Sequence, residues 1–392
     1  MKKILLLIPI IFLSGCFNYR ELSDLAIITA VAIDYEDNKF NTFVQVVNPH
    51  KEQDASSSKE PDFVTYEASG KTVQEAFRNI VNDSPSLLYG SHMQILIISE
   101  DVAINHIEEI LDFFARDPEI RTEFNVFISE NSNAKEELTI VTPLVNLPSM
   151  NIVESLETNV KYLGNSQDLT FNTFLNNYLN PYREITIPVL KLKGDSSLGE
   201  KEENIEQSKV SASLILNNIA VFKENKLLGY LDEETSIGLN YVLDNINGTI
   251  ISYECEDGYL TSEIIKSKSS LEPDIKNNKV TLNIEGHATI SEVTCNIDIK
   301  NTDVVQEVKK NINNTVEELI TNSFNKIRNK YNTDVFNFRD LYYKTDPKYY
   351  NEHYKNWYED GFKNLKLEVK STYKLYEKGS TLGGIKYEKE SN

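Results

Sequence analysis

Between Asp303 and Lys330 the apolar residues Val305, Val308, Ile312, Val316, Leu319 and Ile327 recur along one helical face. On either side the chain alternates instead: Val280, Leu282 and Ile284 come before, and Leu365, Leu367, Val369, Ser371, Tyr373 and Leu375 after. A period of two belongs to a strand half-buried on a sheet, and a period near 3.6 to a helix. A long helix with such a stripe needs a partner layer to bury it, so this third of the chain predicts a helix laid over an antiparallel sheet. The polar stretch 269–278 reads as a linker in front of it, which sets a C-terminal α+β domain at 272–385.

The N-terminal half gives a second α+β pattern. Residues 25–33 are almost all apolar or β-branched, as in a strand covered on both faces. Residues 40–47 follow across Asp37-Asn38, which reads as a hairpin. Residues 51–62 are polar, Ser-rich and without periodicity, and read as a loop. Thr72 and Glu75 are spaced as a capping box before a helix with Val73, Ala76, Phe77 and Ile80 on one face. A strand at 94–99, a helix at about 104–116 with a stripe of Ile107, Ile110, Leu111 and Phe114, and a strand at 124–129 complete a mixed sheet with packed helices. Residues 133–180 read as helical. Pro188 lies within the strand expected at 185–192 and places it at a sheet edge. The Ser-, Glu- and Lys-rich stretch 194–208 is the expected boundary, giving an N-terminal domain at 16–200 and a middle domain of short strands and one small helix at 205–270.

The first sixteen residues say where the chain goes. Lys2 and Lys3 precede an apolar run over 4–13, and Ser14-Gly15-Cys16 closes it. The run is too short to span a bilayer and has the length of a signal-peptide core. Small residues fit a peptidase site, and the Cys16 thiolate can be alkylated by a diacylglyceryl donor. We therefore expect 1–15 to be a lipoprotein signal peptide, and Cys16 to carry a covalent diacylglycerol lipid after cleavage. Cleavage removes Lys2 and Lys3, and the formal charge moves from −20 to −22. A body this acidic repels nucleic acid and anionic headgroups, so the lipid must do the anchoring. Cys255 and Cys295 remain. Export permits a disulfide between them, but a chain of 392 residues does not need a staple. The favoured reading leaves them unpaired, and the sequence does not decide it.

Chemistry-bearing motifs are missing. His50, His92, His106, His287 and His353 form no H-E-x-x-H pair and stand at no metal-ligand spacing from the cysteines. There is no nucleophile elbow, phosphate loop or dinucleotide fingerprint. We expect no catalytic residues, no metal and no cofactor beyond the lipid on Cys16. Tyr350, Tyr354, Trp357 and Tyr358 stand at helical spacing, which favours a core stripe over a ligand platform. Arg116 and Arg121, around Asp117-Pro118-Glu119, read as a helix stop with an ion pair.

Several stretches then resemble one family in order along the chain. Residues 15–34, G-C-F-N-Y-R-E-L-S-D-L-A-I-I-T-A-V-A-I-D, are similar to the opening of the Ger(x)C family, the lipoprotein C subunits of spore germinant receptors. Arg20, Glu21, Leu25, Ala26, Ile33 and Asp34 match, whereas Phe17 and Asn18 stand for Trp and Asp. Residues 87–103 and 111–121 resemble the family's G-H and R-D-P-x-x-R stretches. Residues 220–232 resemble A-V-F-x-x-x-K-L-x-G-W-L, with Tyr230 for Trp. Asp334, Phe336, Phe338, Trp357, Phe362 and Gly379 follow its D-x-F-G…W…F…G pattern, with Asn337 in place of the glycine.

The resemblance implies three α+β domains and a non-enzymatic role. It implies a subunit lipid-anchored on the extracytoplasmic face of the spore inner membrane, assembling with integral-membrane A and B subunits so that small nutrients trigger germination. In the family the B subunit is the expected germinant binder. The C-terminal helix and the surface from His92 to Arg121 are the expected partner contacts. The competing reading is a solute-binding lipoprotein that captures the nutrient itself, which predicts a cleft between two similar lobes. A cell-wall hydrolase is a third, disfavoured by the missing catalytic motifs.

Overall fold

The computed structural model describes residues 25–47, 61–145, 147–255 and 257–376; Cys16, His50, Gly379 and most of the loop expected at 51–62 lie outside them. The larger of two sheets is built from β1 (Leu25–Glu36), β2 (Lys39–Val47), β3 (Phe63–Gly70), β4 (Leu87–Tyr89), β5 (Ile95–Ser99), β6 (Asn125–Ser129), β7 (Thr186–Gly194), β8 (Ala212–Lys223) and β9 (Lys226–Leu231). Their order is β3-β2-β1-β5-β6-β7-β8-β9, with β4 paired to β1. Asp37 and Asn38 turn the β1–β2 hairpin with φ of 52° and 59°, the left-handed geometry that suits a two-residue turn and that Asp and Asn tolerate. β3 and β4 were not foreseen. One is half exposed and polar, the other only three residues long, so neither carries a period-2 signal.

β1 is covered on both faces, as its composition predicts. Val31 and Ile33 join a cluster with α1 (Val73–Ile80), α3 (Ile107–Arg116) and α6 (Phe171–Leu179). Ala30 and Ala32 face the opposite layer, α4 (Ala134–Thr139) and α5 (Pro148–Tyr162). The Thr72 hydroxyl accepts from the Glu75 N–H, and the four residues foreseen as the buried face of α1 are all buried. The helix expected at about 104–116 is two helices. Ser99 caps α2 (Glu100–Asn105) earlier than expected, and His106 breaks the helix, its ring 3.8 Å from that of Tyr35. Pro188 does not mark an edge. β7 lies between β6 and β8, and Pro188 sits just before the parallel ladder with β6, which spans Val189 and Leu190 alone.

The middle domain expected at 205–270 does not form a unit. The stretch 194–208 connects β7 and β8 through two one-turn helices, α7 (Ser196–Gly199) and α8 (Glu203–Glu206), and the two strands pair along their length. β8 and β9 complete the large sheet, whereas β10 (Thr249–Cys255) and β11 (Gly258–Asp274) belong to the second one. Nor is 269–278 a linker. Its first half continues β11, which pairs with β12 (Lys279–Val293) from Leu260 to Asp274, leaving a short turn at 275–278. Its polarity comes from a solvent-facing strand and the turn, which composition alone does not separate from a linker.

The second sheet runs β10-β11-β12-β13, where β13 is Lys366–Leu375. The helix foreseen at 303–330 is α10 (Thr302–Tyr331) and packs on the face carrying Val280, Leu282 and Ile284. The sheet is mixed rather than antiparallel, because α10 carries the chain back along β12 and β13 then runs parallel to it. α10 also protects the β13 edge: Glu317 accepts from the Ser371 N–H at 2.8 Å and Asn313 from the Tyr373 N–H at 3.1 Å. α9 (Glu233–Val242) lies against α10 closely enough that a Cβ at Gly238 would come 2.1 Å from the Ser323 hydroxyl. Cys255 and Cys295 are joined as a disulfide with Cα atoms 6.2 Å apart, against the unpaired reading. The chain past β12 returns beside the β10–β11 turn, where the Thr294 hydroxyl accepts from the Tyr259 N–H.

The foreseen stripe is one residue off at its centre. Ile320, not Leu319, is fully buried, and Leu319 packs at the margin. Ile320→Ala should therefore cost about 2–5 kcal/mol, and Leu319→Ala clearly less, by urea unfolding of the pair. Equal or reversed losses would place the wrong face of α10 on the sheet.

Candidate functional site

The stretches resembling the family each build a joint of the frame. Asp34, at the end of β1, accepts from the Ala134 and Lys135 N–H groups at 3.0 and 3.3 Å and so anchors the start of α4. Gly90 lies so close to Ile120 that a Cβ would meet the Ile120 Cγ1 at 2.7 Å, and the Ser91 hydroxyl donates to the Glu119 carbonyl at 2.8 Å. The G-S-H and R-D-P-E-I-R loops are thus one packed surface. Arg116 ends α3 in a 2.7 Å ion pair with Asp112, and Asp117 is extended, as the helix-stop reading predicts. Glu224 and Asn225 turn the β8–β9 hairpin with φ of 49° and 65°. Asp232 caps α9 by accepting from the Thr235 N–H at 3.0 Å, and it pairs with Lys326 of α10.

The last joint is the most enclosed. Asp334 is buried and accepts from the Phe338 N–H at 3.2 Å, the Arg339 N–H at 2.7 Å and the Trp357 Nε1–H at 3.0 Å. The first two donors open α11 (Phe338–Thr345), so the carboxyl serves as its cap. Asn337 has φ of 63°, which explains both the family's glycine and the tolerance of asparagine here. Tyr350, Tyr354 and Trp357 are buried against Tyr342 and Phe362 as a core cluster, in accord with the favoured reading. Tyr350 comes from α12 (Pro347–His353). Burial pushes the Asp334 carboxyl up to about 7, against the pull of its three donors.

This joint also ties the two sheets together. Tyr358 donates to Glu184, Tyr331 to the Tyr230 carbonyl at 2.6 Å, and Thr333 to the Phe222 carbonyl at 2.5 Å. Arg183 pairs with Asp340 at 2.7 Å, and the Tyr182 ring stacks on Tyr343 at 3.9 Å. Ile219, Val221 and Leu231 of the large sheet share one apolar cluster with the α10 layer. None of these partners was legible in the sequence, since they stand more than a hundred residues apart or are ordinary surface residue types.

Glu137 in α4 was also missed. It is fully buried, accepts from Ser129 at 3.0 Å and Ser132 at 2.9 Å, and its other oxygen has no partner. Burial, with the nearby Asp34 charge adding to it, pushes it up to about 8, so it is protonated at neutral pH. Asp34 is itself raised, by burial. A folded-state proton held above the unfolded pKa stabilises the fold at low pH and is lost as pH rises through the folded value. Stability should therefore fall between about pH 4.5 and 8, by at most about 1.4 kcal/mol per pH unit per group. Glu137→Gln keeps the acceptor and cannot ionise, so its urea midpoint should depend less steeply on pH than that of the native chain. Parallel curves would contradict the protonated assignment.

His92 is exposed, His106 stands 3.1 Å from Glu109, and His287 and His353 pack on Tyr376 and Tyr349. Among the described residues no group of three or more His, Cys, Asp or Glu is placed to hold a metal ion. A shallow groove of 1410 Å³ runs along α3, with Phe113, Leu175 and Leu179 on its walls and Lys71, Arg78, Glu108 and Asp112 at its rim. No helix among the described residues is long and apolar enough to cross a membrane.

Two family models match in sequence order. The one described as the spore germination protein N-terminal domain covers residues 18–192, and the one described as spore germination B3/GerAC like, C-terminal, covers 217–379. The chain belongs to the GerAC-like spore germination family. The second match begins inside β8, so the large sheet is completed by the C-terminal match, and the family boundary is not the boundary between sheets. Spore germination protein KC of Bacillus subtilis is 26% identical, over 99% of this chain and 98% of its own. Spore germination protein GerQC of Bacillus cereus is 23% identical, over 97% of this chain and 100% of its own. The crystal structure of the GerBC protein shares the fold, with a TM-score of 0.52 at 19% identity over 88% of this chain and 96% of that one.

Proposed function

We propose that this family member is the non-catalytic C subunit of a nutrient germinant receptor. It is held by a diacylglyceryl group on Cys16 to the extracytoplasmic face of the spore inner membrane and assembles there with integral-membrane A and B subunits. The observation that carries this reading is the pair of family matches in sequence order, over 18–192 and 217–379, which together take in both sheets. The joints support it. The family-like stretches fix turns, caps and the contact between sheets, which is what a rigid adaptor in a complex requires. The competing solute-binding reading needs two similar lobes that close on a ligand. Here a nine-stranded sheet and a four-stranded sheet share one apolar cluster and are tied by Tyr358–Glu184, Arg183–Asp340 and Tyr182–Tyr343.

Calorimetry separates the two readings. The soluble chain 17–392 titrated with a panel of amino acids, sugars and nucleosides should give no saturable heat, and the full lipoprotein should co-purify with two integral-membrane proteins from spore membranes. A saturable micromolar signal in the isolated chain would replace the adaptor by a solute binder.

A further inference from the structure

Trp357 and Tyr358 are neighbours on one π-helical turn, Trp357–Gly361, and each gives its polar hydrogen to a different enclosed carboxyl. The Trp357 Nε1–H donates to Asp334 at 3.0 Å, beside the second sheet. The Tyr358 hydroxyl donates to Glu184, two residues before β7 of the large sheet. Single π turns are rare and are frequent at functional places. This one has little slack. A Cβ at Gly361 would come 2.4 Å from the Trp357 ring, and the Gly361 carbonyl accepts from the Asn278 Nδ2–H at 2.9 Å. Glu184 also accepts from the Glu224 N–H at 2.8 Å, so the β8–β9 hairpin is held by the same carboxyl. Burial is the main force against ionising Asp334, and the Glu184 charge adds to it. Glu184 is itself raised, by burial.

Few charges face this pair. Arg339 of α11 favours the Glu184 anion, but its Nε–H donates to the Tyr350 hydroxyl at 2.8 Å. Lys223 lies over the Tyr358 ring at 3.9 Å, and Glu224 adds a negative charge beside Glu184. Arg183 and Lys344 are both spent on Asp340. Burial raises the phenols of Tyr342, Tyr350 and Tyr358, so they stay neutral. We infer that the Trp357–Gly361 turn is a proton-operated latch between the two sheets: it grips Glu184 while the carboxyl pair holds a proton, and it loosens when both carboxyls are ionised. Two anions in one enclosed joint repel, and parting Tyr358 from Glu184 relieves them without unfolding the chain. The sign follows from burial. A carboxyl held above its unfolded value stabilises the closed joint at low pH and loses its proton as pH rises, for Asp334 through about 7. The bonds from Tyr331 and Thr333 to large-sheet carbonyls involve neither carboxyl, so the sheets stay joined and only the turn and the hairpin give. Every group in the latch belongs to this chain, so it stands whether or not the receptor reading does.

The test reads Trp357, the single tryptophan, in the full chain held in detergent. Its fluorescence should titrate with a midpoint near pH 7 while far-ultraviolet circular dichroism stays constant, because the indole donates to the carboxyl that ionises. Asp334→Asn keeps the acceptor and cannot ionise, so the titration should vanish. Glu184→Gln removes the neighbouring charge and should move the midpoint to lower pH. Amide exchange followed by mass spectrometry gives the second readout. Protection of 182–186, 222–226 and 355–362, corrected for the intrinsic rise in exchange rate, should fall between about pH 6 and 8 in the native chain. It should stay level in Asp334→Asn. A flat native fluorescence curve, or one unchanged in Asp334→Asn, would remove the titration that works the latch. A titration that leaves protection unchanged in all three segments would show a carboxyl ionising inside a rigid joint, and would overturn the latch. Should Asp334→Asn fail to fold, Glu184→Gln decides: an unmoved midpoint overturns the coupling of the two carboxyls.

Discussion

Trp357→Ala is expected to destabilise the protein by about 3–5 kcal/mol, the range for removing a buried aromatic from a packed core. The ring is buried among Tyr342, Tyr350, Tyr354 and Phe362, and its Nε1–H is one of three donors to the enclosed Asp334 carboxyl. Trp357→Phe divides these two roles. It keeps most of the packing and removes the donor, which should cost about 1–3 kcal/mol because a buried acceptor then loses a partner. Trp357 is the single tryptophan of the chain, so in the native protein its fluorescence reports this joint directly. Urea unfolding followed by far-ultraviolet circular dichroism compares all three chains on one signal. If the alanine variant unfolds at the native midpoint, the cluster is not what holds α11 and α12 to the second sheet.

Cys16→Ala should remove the protein from washed spore membranes, leaving it unprocessed or soluble. No helix of the described residues is long and apolar enough to cross a bilayer, and a formal charge of −20, or −22 after the proposed cleavage, gives no attraction to anionic headgroups. Two acyl chains are enough for stable anchoring where one is marginal, so losing the diacylglyceryl group should turn retention into release. Germination in response to nutrients should fail with it. Mature-size Cys16→Ala protein that stays in washed membranes would show that something other than this lipid holds it.

The long elements were legible because their periodic patterns repeat over many residues. α10 was foreseen over 303–330 and spans Thr302–Tyr331, and the alternation at Val280, Leu282 and Ile284 is that of a strand facing it. β1 was read as doubly covered from its apolar run, and both of its faces are buried. Of the aromatic stripe Tyr350, Tyr354, Trp357 and Tyr358, weighed as core, the first three are buried, whereas Tyr358 is half-buried and spends its hydroxyl on Glu184. Asn337 looked like a departure from the family pattern, yet a left-handed φ of 63° accounts for both the glycine and its replacement.

What the sequence determined by itself is therefore local: which segments are helices or strands, which face of each is apolar, where turns with left-handed residues fall, and the order of family-like stretches. Only the tertiary structure decided how the segments combine. The polar stretches 194–208 and 269–278 looked like linkers, but long-range pairing carried β8 into the large sheet and β11 across the supposed boundary. Pro188 became interior because the neighbouring ladder is only two residues long, and Cys255 met Cys295 because the chain past β12 returns beside the β10–β11 turn. The carboxyls of Asp334 and Glu137 look in sequence like any surface acid. Their burial, and the protons it holds near neutral pH, arise from side chains brought around them by the fold, and burial depends on all of those neighbours at once.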